Sequence, residues 1–217
     1  MVTGAGRDIG AAAALKLASE GANVAVNYFA SSAGADNVVA KIKANGGNAI
    51  SLQGDLTKQE DVDALVGKTI AEASLEHWMA VMNLNLTSTF MMTKACLAHM
   101  DKSTIVNLAS QAARDGGGPG SVPYVTSKGA IVTMTGGLAK ELGPKVRVNA
   151  LCPGMIDTDF HNIHTPDAGR RGFEANAPVK RQGNTDDVAN LVLFLACEDS
   201  AFITGANTDI NGGMVFS

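Results

Sequence analysis

The chain has 217 residues, the size of one ordinary domain, and at 46% hydrophobic and 18% charged it is too apolar for a disordered polypeptide. A net charge of −4 with no run of Lys and Arg argues against a nucleic-acid surface. No stretch approaches the roughly 18 uncharged apolar residues of a membrane span, and the start lacks a basic-then-apolar leader. Three scattered cysteines, Cys96, Cys152 and Cys197, suit a reducing cytosol as small core residues, so a cytoplasmic domain is expected.

The chain opens on Thr3-Gly-Ala-Gly-Arg-Asp-Ile-Gly10, a Gly-rich turn before an Ala-rich helical pattern at 9–20. Glycine lets backbone approach a phosphate, and a helix N-terminus supplies free N–H groups and a positive dipole end. Short β-branched runs at 23–27, 48–52, 104–108 and 145–149 read as buried strands. Between and beyond them, helical patterns cover 32–45, 58–72, 76–100, 124–142 and 185–197. Thr57 and Glu60 form a capping box for the 58–72 segment. This alternation predicts an α/β fold, one doubly wound Rossmann-type domain over 1–217, with helices on both faces of a parallel sheet. Residues 115–121 read as a Gly-rich loop, and 155–184 as an irregular excursion long enough to be an active-site lid.

Two places break the rhythm. Only Met1-Val2 precedes the Gly-rich turn, and the helices at 58–72 and 76–100 follow one another with no strand between. A parallel sheet requires a strand there, because each crossover returns to the sheet. The preferred expectation is that residues are missing before position 1 and between about 66 and 76. A central parallel strand that was truly lost would leave unpaired backbone on both neighbours.

Ser110, Tyr124 and Lys128 are candidates for chemistry, although a Tyr…Lys pair on a helix, taken alone, reads rather as a solvated surface pair. Tyr124 and Lys128 are an i, i+4 pair on one helix face, and an ammonium beside a phenol is expected to lower the phenol pKa from about 10. Ser110 follows the strand at 104–108, at the carboxyl end where open α/β sheets bind ligands. His161 and His164, near Asp157 and Asp159, make too weak a set for a metal site, and none is expected. Arg170, Arg171, Lys180 and Arg181 flank the lid, either to meet an anionic substrate or as a solvated face. Met91 and Met92 suit a core or subunit interface better than a substrate pocket.

Together, Thr3-Gly4…Gly10, Asn85, Ser110, Tyr124-Val-Thr-Ser-Lys128 and Pro153-Gly-Met-Ile-Asp-Thr158 resemble the short-chain dehydrogenase/reductase family along essentially the whole chain. The resemblance implies that Tyr124 is the general acid or base, that Ser110 holds the carbonyl oxygen, that Lys128 binds the nicotinamide ribose, and that Asn85 holds a relay water. It also implies cofactor contacts from Gly4, Arg7, Ile9, Gly10, Ser31, Ser32, Asp55, Pro153, Gly154, Ile156 and Thr158. Asn107 resembles an asparagine that ties adjacent strands. Asp8 stands where the family usually has a glycine, and its carboxylate is expected to cap the helix. The family's Asn-Asn-Ala-Gly strand end has no counterpart.

No acid follows the strand at 23–27, where one would accept the ribose hydroxyls of NAD; Arg7, Ser31 and Ser32 stand ready for a 2′-phosphate instead. NADP(H) is therefore expected over NAD(H). The same resemblance implies a homotetramer built on the helices at 76–100 and 124–142. It implies reduction of a ketone, foremost a 3-oxoacyl thioester on a carrier protein, with a sugar or polyol dehydrogenase or a xenobiotic ketone reductase as alternatives. A non-catalytic dinucleotide sensor would not need Ser110, Tyr124 and Lys128 together. An α/β methyltransferase would normally carry the acid that is missing here.

Overall fold

A computed structural model describes residues 1–54 and 69–216. Asp55 and most of the expected helix at 58–72, its capping box included, lie outside the described residues. Helix α1 (Asp8–Ser19) follows the Gly-rich turn, and β1 (Val24–Tyr28), α2 (Ser32–Ala44) and β2 (Ala49–Gln53) complete the first layer. Val24 and Val26 alternate inward on β1 and are buried, each stabilising the fold by about 1.5–3 kcal/mol. β1 pairs parallel with β2, from Val24 opposite Ala49 to Tyr28 opposite Gln53.

The second half holds β3 (Ser103–Leu108), β4 (Val146–Pro153) and β5 (Asn207–Ile210), all parallel, in the order β3-β4-β5. β4 is almost wholly buried, as a strand flanked on both sides should be. Helix α6 (Val122–Leu142) covers one face, while α1 and α9 (Thr185–Ala196) pack together across the other. Leu151, Val188 and Leu195, all at 1% exposure or less, form the core beneath α9. Asn184 and Asp187 close a reciprocal capping box at the start of α9.

Two expectations require correction. The 155–184 excursion is not irregular: it contains α7 (Asp159–His164) and α8 (Asp167–Asn176), started by extended Thr158 and by Pro166. The 76–100 segment is interrupted: α3 (Leu75–Met82) passes through a π-helical turn at Asn83–Thr87 into α4 (Ser88–Leu97). β5 was not anticipated, because four half-buried residues carry no periodic signal. The described strands fall into two sheets, β1-β2 and β3-β4-β5. Val2 alone bridges to Val26, and no described strand joins this edge to β3.

Candidate active site

The Gly-rich turn is shaped by two close approaches. Gly4 has φ +59, which favours glycine, and a Cβ on Gly10 would lie 2.4 Å from the Gly4 carbonyl oxygen. The turn also packs on α2: a Cβ on Gly34 would lie 2.4 Å from the Gly6 carbonyl oxygen. No side chain caps the first turn of α1. Its N–H groups are thus left for a ligand, in the arrangement that receives phosphates. Asp8 does not cap the helix as expected. Held at φ 51, it accepts a hydrogen bond at 3.2 Å from the backbone N–H of Asp159, tying the turn to the start of α7.

A cavity of about 1160 Å³ opens beside this turn. Gly4, Arg7, Ile9, Gly10, Asn85, Ser110, Tyr124, Lys128, Pro153, Gly154, Ile156 and Thr158 all contribute to its wall. Ser31 and Ser32 lie outside the wall, exposed at the start of α2; Ser31 abuts Gly6, where a Cβ would lie 3.2 Å from its carbonyl oxygen. Gly154 is sterically fixed, since a Cβ there would meet Asn211 and the Gln111 side chain at 2.8 Å. Thr158 is buried and donates to the Ile156 carbonyl oxygen at 3.2 Å.

Tyr124 and Lys128 project together from α6. The Lys128 Nζ sits 5.7 Å from the Tyr124 ring centroid and donates to the Leu108 carbonyl oxygen at 2.9 Å. Ser110 is buried just past the end of β3; its hydroxyl accepts from the Ala112 N–H at 3.2 Å and acts on the Tyr124 phenol so as to lower its pKa. The phenol pKa is raised, not lowered as expected: burial dominates, and the Ser110 hydrogen bond only partly offsets it. The ammonium is spent on the Leu108 carbonyl rather than on the phenol oxygen. Burial lowers Lys128 to about 8, with the nearby Cys152 thiol opposing this.

Asn85 stands in the π-helical turn, where Thr89 bonds its carbonyl oxygen at 2.7 Å and Ser88 bonds that of Leu84 at 2.5 Å. Such i−4 hydroxyl bonds divert the helical ladder, and π-turns collect at functional sites. The Asn85 Nδ2 is buried without a protein partner, as expected of a group that holds water or substrate. Gln111, not anticipated, also lines the cavity with an unpartnered buried Oε1; its one sequence signal is adjacency to Ser110. Asn107 ties β3 to α6 through Thr135 Oγ1 at 3.0 Å, not to a neighbouring strand.

The lid basic cluster is largely spent internally. Arg170 bonds Asp157, Asn162 and Gln182, Arg181 forks onto Asp187, and Lys180 bonds the Ala175 carbonyl oxygen. Met155, Phe160 and Phe173 give the cavity an apolar side, and Met92 lines it too, contrary to expectation. His161 bonds Thr165 Oγ1 at 2.8 Å.

Comparison with known proteins decides the lineage. A family model described as short chain dehydrogenase matches residues 1–74, and one described as Enoyl-(Acyl carrier protein) reductase matches residues 66–215. The chain belongs to the short-chain dehydrogenase/reductase family. A 3-oxoacyl-(acyl-carrier-protein) reductase from Synechocystis is 38% identical over 241 aligned positions, covering 99% of this chain and 96% of the relative. Glucose 1-dehydrogenase 2 from Bacillus subtilis is 34% identical, with 99% and 93% covered. Among solved structures, a short chain dehydrogenase from Burkholderia cenocepacia in complex with NADP superimposes with a TM-score of 0.89 at 30% identity, covering 98% and 96% of the two chains. As a member of this family, the protein is an NAD(P)-dependent oxidoreductase with the family's Rossmann fold.

Proposed function

We propose that this short-chain dehydrogenase/reductase reduces a ketone with NADP(H), foremost a 3-oxoacyl thioester. The observation that carries the reading is the gathering of Ser110, Tyr124 and Lys128 on the wall of the cavity that the Gly-rich turn opens into. The residues fit a dinucleotide: close-packed glycines and uncapped α1 amides for the pyrophosphate, and Lys128, Pro153, Gly154, Ile156 and Thr158 for the nicotinamide half. Bound NADPH supplies the hydride. Ser110 donates a hydrogen bond to the substrate carbonyl oxygen and stabilises the charge that develops there. Tyr124, kept protonated by burial, gives its proton to that oxygen. Lys128 binds ribose hydroxyls as an ammonium, and the Asn85 amide holds the water through which Tyr124 is reprotonated.

The lid favours an acyl substrate over a sugar. Met155, Phe160 and Phe173 offer apolar surface, while Arg170 and Arg181 are bonded within the lid. The Synechocystis relative points the same way, whereas the Bacillus one is named for glucose. Cofactor preference rests on charge. β1 runs out through Asn27, Tyr28 and Phe29 with no acid, and Arg7 is exposed on the cavity rim. Free Cys96, Cys152 and Cys197 suit a cytoplasmic enzyme.

Steady-state assays with both cofactors test this. NADPH is expected to outperform NADH, and Arg7→Ala to lower kcat/KM for NADPH about 10–100-fold while sparing NADH, the worth of one charged hydrogen bond. Equal or better use of NADH would overturn the preference.

A further inference from the structure

Asp8 carries a carboxylate at a place poorly suited to one. It is the first residue of α1, beside the uncapped amides that fit a pyrophosphate, and it lies on the wall of the same cavity as Gly4, Gly10 and Phe160. Its backbone is left-handed at φ 51, a conformation that glycine adopts without strain. The side chain is thus opposed twice, by its own backbone and by the charge of the ligand that the turn receives. Two contacts offset this. Oδ1 accepts from the Asp159 backbone N–H at 3.2 Å, and Oδ2 lies 3.8 Å from Arg7 Nε. Arg7 is exposed and is the cation offered to a 2′-phosphate, so its ion pair with Asp8 is weak and yields to the cofactor. The bond to Asp159 reaches a different part of the chain, 151 positions along.

That part is the start of the lid. Thr158 leaves α7 without a side-chain cap of its own, its hydroxyl donating instead to the Ile156 carbonyl oxygen. The Asp8 carboxylate takes up the Asp159 N–H from the Gly-rich turn. The next residue, Phe160, belongs to the apolar side of the cavity. Just before it in the chain, the lid has anchors that do not involve the turn. The Asp157 N–H bonds the Gly183 carbonyl oxygen at 2.8 Å, and the Asp157 carboxylate pairs with Arg170. Losing the Asp8 bond therefore frees the head of α7 while these anchors persist, and Phe160 moves with that head.

We propose that Asp8 is a positioning residue: it pins the lid to the Gly-rich turn, setting Phe160 against the substrate, and its charge weakens pyrophosphate binding. The cofactor half of this inference rests on the NADP(H) reading; the lid half does not. Asp8→Gly and Asp8→Asn separate the two effects. Both residues accept φ 51 and both remove the charge, but only Asn keeps an oxygen for the Asp159 N–H. The dissociation constant for NADPH, read by fluorescence, should fall about 3–10-fold in both variants. Hydrogen exchange on the unliganded protein should find the Asp159 and Asn162 amides about 3–10-fold faster in Asp8→Gly and unchanged in Asp8→Asn. KM for a 3-oxoacyl thioester should rise by a similar factor in Asp8→Gly alone, with kcat changed by less than about 2-fold. A lid that exchanges alike in the two variants would overturn the positioning role. NADPH affinity unchanged in both would overturn the opposition to pyrophosphate. Turnover keeps the readings distinct: an exchange difference between the variants, with no NADPH oxidation even by the parent protein, contradicts the catalytic reading and leaves the pin standing.

Discussion

Lys128 departs clearly from its ordinary state. Burial holds its pKa near 8 instead of 10.5, so below about pH 8 it is an ammonium and above it a neutral amine. KM for NADPH should therefore climb as pH rises through about 8, with kcat less affected. The stability effect has the opposite sense. The unfolded lysine keeps its proton up to 10.5, so the cost of burying the charge is fully present below pH 8 and relieved between 8 and 10.5. That window is worth about 3 kcal/mol, and unliganded Lys128→Met should lack the pH-dependent gain in urea titrations. A gain of equal size in the variant would contradict the assignment. Local spacing put Tyr124 and Lys128 on one helix face and Ser110 past a strand end, but their roles were legible only through the family resemblance. The direction of the phenol shift was not, because it depends on how neighbouring elements enclose the hydroxyl and on Lys128 bonding Leu108.

At the scale of elements, polar bonds hold the lid and the head of α9, while the rest of α9 lies on the core that includes Leu151, Val188 and Leu195. Asn184 and Asp187 satisfy each other's backbone N–H groups at the head of α9, and Arg181 holds Asp187 well below the usual carboxylate range. Asn184→Ala should cost about 1 kcal/mol and lower Tm by about 2–4 °C, read by calorimetry, with KM for NADPH unchanged. No change in Tm would mean that the cap does not hold the helix. Strands β1 to β4 were legible within one to four residues from β-branched runs. The π-helical turn was not: it arises where Ser88 and Thr89 both bond carbonyls one turn back, a choice no helical periodicity reveals. α7 and α8 were hidden for another reason. Both are short, and their start depends on Thr158 and Pro166 leaving an extended backbone.

Across the whole molecule, large apolar side chains remain on the surface of α3, α4 and α6. Leu75, Phe90, Met91 and Val122 are among them, at 70%, 49%, 55% and 41% exposure. Exposed apolar side chains of this size suit burial between subunits, and we propose a tetramer as the assembly. Light scattering should return four times the 22.3 kDa chain mass, and Met91→Lys a smaller species. A monomer at micromolar concentration would remove the tetramer. The central claim is that the Tyr124 phenol delivers the proton to a substrate carbonyl beside NADPH. It is tested most directly by single-turnover oxidation of NADPH with a 3-oxoacyl thioester, comparing the protein with Tyr124→Phe. The rate should fall about 10²–10⁴-fold while NADPH affinity, read by fluorescence, stays the same. Turnover that survives the loss of this hydroxyl would contradict the account.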